Sequence, residues 1–182
     1  MLLSLFASLA LIQAGPVKPV MEIDFTAANG HWAEGQAGGV SGCEAGGASR
    51  RLDIRILAEP PHERSDNIGE FTADLGDGTG ASFVVNAIHV LMDEAGGQDI
   101  QIGGGQVNTV GRYIDGITDG QLRGQADLDL RLDADGRLHL LALRQAEGRD
   151  PRSAENLVVD GALPDGTELR AFERCGNSTQ SR

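Results

Sequence analysis

Aromatic residues are scarce in this chain of 182 residues: they make up 4% of it, with one tryptophan and one tyrosine. Outer-membrane barrels carry girdles of aromatic side chains at both membrane interfaces, so the scarcity argues against such a barrel. After Ala14, no apolar run approaches the roughly 20 residues that a membrane-spanning helix needs. We therefore expect no membrane insertion.

Lysine is almost absent, since Lys18 is the only one and the other fourteen basic residues are arginine. The 27 acidic residues outnumber the basic ones and give a formal net charge of −12. A strongly negative surface repels phosphate backbones and anionic lipid headgroups. Nucleic acid and acidic membranes are therefore poor candidate partners, and we expect neither. The preference for arginine, together with abundant alanine and glycine, is typical of a GC-rich bacterial genome.

Motifs that carry recognised chemistry are also lacking. The chain has no Gly-x-Ser-x-Gly elbow, no Gly-Lys-Ser/Thr loop and no Cys-x-x-Cys pair. Asp133-Ala134-Asp135-Gly136 resembles part of a calcium loop, but the first ligand position would be Arg131 and the closing glutamate position Ala142. A turn explains these residues better. The histidines show no metal-ligand spacing; they are His31, His62, His89 and His139. The sequence thus indicates no metal, no cofactor and no identifiable catalytic residue.

The N-terminus predicts export. Residues 1–14 are uncharged and mostly apolar, end in Ile12-Gln13-Ala14 and are followed by Gly15 and Pro16. A short apolar run that ends at a small residue is typical of a secretory signal peptide, here cleaved near Ala14. A buried N-terminal helix or strand is the alternative. With a signal peptide, the mature protein is periplasmic or secreted.

The chain has two cysteines, Cys43 and Cys175. An even number of cysteines in an exported chain favours a disulfide, because the compartment is oxidising. We therefore predict that the two residues are bonded to each other and that they have no catalytic or metal-binding role.

Period-two alternation of apolar and polar residues predicts strands, and helical periodicity is hard to find. The predicted fold class is all-β: a single-domain antiparallel β-sandwich or small β-barrel of about 8–10 strands. One β domain is expected over residues 15–182, with a glycine-rich loop region at 27–50 and a polar tail at 176–182. Strand segments are predicted at Met21–Thr26, Leu52–Leu57 and Ser82–Met92, and the clearest unit is the hairpin Leu122–Leu143.

Two hairpins carry turn residues with a physical role. In the first, Ala134-Asp135-Gly136 is predicted to be a three-residue loop in which Gly136 takes a positive φ. The same register places leucines opposite apolar partners, namely Leu132 with Leu138, Leu130 with Leu140 and Leu128 with Ala142. His139 then lies beside Arg131 on the charged face, as a surface residue. The second is predicted at Pro164-Asp165-Gly166, between Leu157 with Val159 and Leu169 with Ala171.

The segment Ser82–Met92 is apolar on both faces, which predicts a strand covered on both sides. His89 and Asn86 interrupt it, and both are candidate ligand-lining residues. The alternative is that each is a buried polar group bonded to the backbone, or lies near a rim.

Three functions are compatible with these features. The leading hypothesis is an exported, non-enzymatic β domain that binds a small apolar ligand or a protein partner in the cell envelope. A periplasmic hydrolase that uses carboxylates and a histidine is the second, with His89 as its candidate. A structural or adhesion module of the envelope is the third.

Overall fold

The computed structural model describes residues 23–35, 42–43, 50–57, 68–76, 79–107, 122–147 and 153–176. These residues form an all-β structure with no α-helix. None of their segments is a helix long and apolar enough to span a membrane. The strands are β1 (Gly30–Glu34), β2 (Arg51–Ile56), β3 (Gly69–Gly76), β4 (Thr79–Met92), β5 (Gln98–Val107), β6 (Leu122–Leu132), β7 (Leu138–Glu147), β8 (Ala154–Val158) and β9 (Phe172–Cys175).

Eight of the strands close into an antiparallel barrel, which confirms the predicted fold class. Strands β1 to β7 pair in chain order, and β9 lies between β7 and β1 to complete the ring. The remaining strand, β8, is added to the outside of the ring along β7. One edge of β7 is therefore shared: Leu138 pairs with Phe172 of β9, and Leu143–Ala146 pairs with β8.

The barrel interior is filled by apolar side chains from alternating strand positions. In β2, Leu52, Ile54 and Ile56 are buried, whereas Arg51, Asp53 and Arg55 are exposed. The Phe71 and Phe83 rings pack with their centroids 5.2 Å apart. Burial of each large apolar side chain stabilises the fold by about 1.5–3 kcal/mol. The largest fully buried residues are Trp32, Phe71, Phe172, Leu52, Ile100, Ile102, Leu128, Leu130, Leu138, Leu140, Leu143 and Val85.

The prediction that Ser82–Met92 is covered on both sides is wrong. The ladder between β4 and β5 shifts at Asn86, since Val85 pairs with Gly104 but Ala87 pairs with Gly103. This bulge changes the parity of the strand, so that Val85 and Val90 are both buried. Before the bulge and after it, only one face of the strand is buried. Leu91, for example, is 57% exposed.

The N-terminal segment also differs from expectation. The described part of the predicted strand Met21–Thr26 is a turn, in which the Thr26 amide donates to Asp24 Oδ1 at 2.8 Å. Ile23 and Phe25 are exposed there. The predicted loop region 27–50 contains β1, because Trp32 is buried in the core and donates from Nε1 to the Ala28 carbonyl. Burial of this ring outweighs the low strand propensity of the glycines around it.

The β6–β7 hairpin has the predicted loop, with Gly136 at φ +87°. The pairs Leu132–Leu138 and Leu130–Leu140 are confirmed. The predicted pair Leu128–Ala142 is wrong, because Leu128 pairs with Leu143. A register shift between Asp129 and Leu130 leaves Leu141 without an opposite residue, so the rest of β7 moves by one position.

The predicted turn at Pro164-Asp165-Gly166 is present, with Gly166 at φ +84° and the Thr167 amide bonded to Asp165 Oδ1 at 2.9 Å. Its flanks do not form a hairpin: β8 pairs with β7, whereas β9 pairs with β1 and at one residue with β7. Closure of the barrel, which removes an open sheet edge, places β9 beside β1 instead.

Cys43 and Cys175 form the predicted disulfide, with their Cα atoms 5.4 Å apart. The bond joins a segment beyond β1 to the last residue of β9, across a sequence separation of 132. The predicted signal peptide lies outside the described residues, as does the predicted polar tail after Gly176.

Candidate ligand-binding groove

A groove with a volume of about 660 Å³ lies on the outer wall of the barrel, against strands β4 to β8 and the turn that follows β8. Its lining mixes apolar and polar residues. Grooves of a few hundred cubic ångströms that combine an apolar surface with a few polar groups are typical of small-ligand sites in proteins. The polar side chains that line it are His89, Gln101, Asp127, Asp129, Arg144, Asn156 and Asp160.

Cross-strand register explains how residues far apart in sequence meet in the groove. One row runs across five strands, because Ala87 pairs with Gly103, Gly103 with Asp127, Asp127 with Arg144, and Arg144 with Asn156. Neighbouring strands are about 4.8 Å apart. The row therefore places an alanine and a glycine beside an acid, a base and an amide.

A second row runs parallel to the first. His89 pairs with Gln101, Gln101 with Asp129, and Asp129 with Ala142. These positions lie two residues along each strand from the first row, so their side chains share the same outward face. His89 and Gln101 are exposed, while Asp129 and Ala142 are half-buried.

Gly103 gives the groove part of its floor. A Cβ atom placed there would lie 3.6 Å from Ala87 Cβ and 3.7 Å from Asp127 Oδ1, which is ordinary contact. The neighbouring Gly104 faces inward, and a Cβ there would come within 2.1 Å of the Phe83 ring. Gly104 is therefore required by packing, whereas Gly103 would admit a Cβ atom at ordinary contact distances.

The charged groups of the groove are largely without protein partners. Three carboxylates line it, from Asp127, Asp129 and Asp160, against the single guanidinium of Arg144. Arg144 donates from Nε to Asn156 Oδ1 at 3.3 Å. Within the part of the chain that the structure describes, no ion pair or side-chain hydrogen bond involves Asp127, Asp129 or His89. These groups are available to a ligand.

The next outward-facing row is different, because its charges satisfy one another. Arg131 donates to Asp99 at 3.0 Å, to Asp133 at 3.4 Å and also to Asp93. His139 Nε2 lies 2.9 Å from Asp133 Oδ2. The hydrogen bond from Arg131, and then that from the Gly97 amide, lowers the pKa of Asp93.

The same carboxylates raise the pKa of Arg131. The pairing of His139 with Arg131 confirms that this histidine belongs to the charged outer face.

The two candidate ligand-lining residues are both exposed, and neither is a buried polar group. His89 lines the groove. Asn86 is the bulge residue, and its Oδ1 is 3.9 Å from the position that a Cβ on Gly103 would take, so it lies beside the groove. A ligand-binding role for the two residues stays a prediction.

Sequence reasoning missed most of the groove. Asp127 and Asp129 alternate with leucines on a polar strand face, which solvation explains. Nothing in the sequence singles out Arg144 or Asn156. The one feature that groups His89 with Asp127 and Asp129 is the pairing of β5 with both β4 and β6, which places the interrupted strand two strands away from the Asp-rich one. That pairing is not encoded in any single segment.

The arrangement is suited to binding by charge and hydrogen bonds. For acid–base catalysis, a histidine and a carboxylate should lie within hydrogen-bonding reach of each other or of one reacting group. His89 and Asp129 lie in one row but are separated by Gln101, which corresponds to two strand spacings, or about 10 Å between backbones. No protein-family model, curated protein or solved structure matches this chain.

Proposed function

We propose that the protein is an exported, non-enzymatic barrel that binds a small, partly polar ligand in the groove on its outer wall. The observation that carries this proposal is the groove itself, with its volume of about 660 Å³ and its mixed lining. The barrel supports it as a rigid platform, since the groove residues lie mainly on paired strands and not on long loops.

A polar component of the ligand is supported by the chemistry of the lining. The inward face of the barrel is occupied by packed leucine, isoleucine, valine and aromatic side chains. The groove, by contrast, has small apolar residues at Ala87, Gly103 and Ala142, with charged and amide groups around them. A wholly apolar ligand would remove water from these charges without replacing their hydrogen bonds, which is unfavourable.

Export is supported by two independent features. Residues 1–14 have the composition of a signal peptide. Cys43 and Cys175 are within bonding distance in the fold, and disulfides persist mainly in oxidising compartments. Both features support a periplasmic or extracellular location.

Native mass spectrometry of the exported protein, mixed with a small-molecule extract of the producing cells, tests the proposal. A bound species of defined mass is expected. The variant Gly103→Leu, which fills the floor of the groove, should abolish binding.

The matched control is Thr72→Leu, which adds the same side chain at an exposed position of β3. This variant should bind as the unaltered protein does. Binding that survives Gly103→Leu, or the absence of any bound species, would refute the proposal.

A hydrolase remains a second candidate, because His89 shares the groove with Asp127 and Asp129. In such an enzyme, His89 would act as the general base and one of the two carboxylates would bind the substrate, because Gln101 separates Asp129 from His89. Any hydrolytic activity found in the purified protein should then be lost in His89→Ala and kept in His139→Ala. Equal activity in both variants would remove this candidate.

A further inference from the structure

The strongest clue to the ligand is an acid and a base placed side by side without bonding to each other. Asp127 and Arg144 are direct cross-strand partners in the groove. Opposite charges in this position are close enough to pair, with Cβ atoms about 5 Å apart. In the described residues no ion pair joins them; Arg144 donates instead to Asn156.

The groove distinguishes this pair from a similar one elsewhere. Arg55 and Glu70 are also cross-strand partners on the outer wall, both exposed, and no ion pair between them is present in the described structure. They do not line the groove. Asp127 and Arg144 border a concave space of about 660 Å³, and Asp129 lies beside them with no ionic partner among the described residues.

We propose that the ligand is a small zwitterion, with an ammonium group and a carboxylate a few bonds apart, as in a free α-amino acid. Asp127 and Asp129 accept hydrogen bonds from the ammonium group, and the terminal nitrogens of Arg144 donate to the carboxylate. Charge-assisted bonds of this kind are the strong ones in polar sites. This inference rests on the proposed function and gives its ligand a chemical class.

The remainder of the ligand would lie over the small residues of the groove. Ala87, Gly103 and Ala142 project little or no side chain and lie in the same two rows as the charged groups. A side chain of modest size fits this floor. Extended aromatic stacking is not available, because no aromatic residue other than His89 is part of the lining.

The test is a titration of the isotope-labelled mature protein, followed through its amide resonances. The probes are free leucine, glutamate and lysine, each compared with its N-acetyl derivative and its α-carboxamide. At least one free amino acid should shift the amides of Gly103, Asp127 and Arg144. Its N-acetyl and carboxamide forms, which each lack one charge, should bind about fivefold more weakly or worse.

Matched variants locate the charges. Asp127→Asn and Arg144→Gln should each weaken binding of that amino acid by about fivefold. Glu70→Gln and Arg55→Gln, which make the same changes at the other cross-strand pair, should leave it unaltered. Each variant is first checked for an unchanged amide spectrum away from the substitution, so that a folding defect is not mistaken for lost binding.

The outcomes separate this inference from the proposed function. If no free amino acid shifts the groove amides, or if the derivatives bind as tightly as the free forms, the zwitterion assignment is overturned. If a compound from the cell extract nevertheless binds the groove, the proposed function stands. If the extract also gives no binding at the groove, the zwitterion assignment and the proposed function are both refuted.

Discussion

Leu138 pairs with Phe172, and within the described residues this is the one pair that joins β7 to β9 and closes the barrel. Both side chains are completely buried. Because only one residue pair of the backbone ladder joins these two strands, side-chain packing has to stabilise the closed barrel at this point. Beyond it, the turn after β8 bonds back to β7, where the Gly161 amide donates to the Leu141 carbonyl at 2.7 Å.

Phe172→Ala should therefore be strongly destabilising. Loss of a fully buried phenylalanine costs about 3–5 kcal/mol through lost apolar burial and the cavity left behind. Urea unfolding should show this decrease in the free energy of unfolding. Leu91→Ala is the control, since Leu91 is 57% exposed and its truncation should change stability by about 0.5 kcal/mol or less. Equal effects of the two substitutions would contradict the assigned closure.

The addition of one methyl group should have very different effects on stability at the two adjacent glycines of β5, Gly103 and Gly104. Gly104→Ala would drive a Cβ into the Phe83 ring and the Val84 carbonyl, and overpacking of this kind costs about 1–3 kcal/mol or more. Gly103→Ala meets only ordinary contacts and should change the free energy of unfolding by about 0.5 kcal/mol or less. If thermal unfolding places both variants at the same midpoint, the inward and outward faces of β5 are assigned wrongly.

Acid should reduce the stability that the ion pairs of Arg131 with Asp93, Asp99 and Asp133 contribute. The folded-state pKa of Asp93 lies below its ordinary value of 3.8, mainly because Arg131 donates a hydrogen bond to it. This contribution to stability is present above the unfolded-state pKa and is lost as the pH falls through the lowered folded-state value. Arg131→Gln should thus lower the melting temperature at neutral pH, and the difference from the unaltered protein should shrink below about pH 4.

Arg137→Gln provides the comparison for this experiment, because Arg137 is 67% exposed in its side chain and pairs only with Asp135 at 3.5 Å among the described residues. It removes the same charge without removing a donor to Asp93. A melting-temperature difference for Arg131→Gln that stays constant down to pH values below 3.8 would contradict the role assigned to Asp93.

Reduction of the disulfide should be costly, because it closes a long loop. In the chain-entropy view, a bond across a sequence separation of 132 lowers the conformational entropy of the unfolded chain. This raises the free energy of unfolding by about 5 kcal/mol. Urea unfolding with and without reductant measures the effect, and the variant Cys43→Ala with Cys175→Ala should match the reduced protein. Thiols that react with a labelling reagent in the untreated exported protein would contradict the bond.

The sequence predicted the class of fold because alternation of apolar and polar residues follows directly from strand geometry. It failed where a single residue changes the parity. Asn86 and Leu141 are bulge residues, and each shifts all later side chains of its strand by one position. A bulge depends on the partner strand, so alternation within one strand does not reveal it. β1 was missed for a similar reason, since Trp32 is held in the core by long-range packing.

The candidate groove was only partly predictable. His89 and Asn86 stood out because each interrupts an apolar strand. Asp127 lies on the polar face of an alternating strand, and nothing in the sequence singles out Arg144. Only the register across β4, β5, β6 and β7 places the two residues around the same space as His89.

The proposed ligand site is the groove on the wall of β4 to β8. Amide chemical-shift mapping of the exported protein against the small-molecule extract tests it most directly. We expect saturable shifts at His89, Gly103, Asp127 and Arg144, with none at Arg55 or Glu70 on the β2–β3 wall. Shifts confined to the β2–β3 wall, or a spectrum that no component of the extract changes, would contradict it.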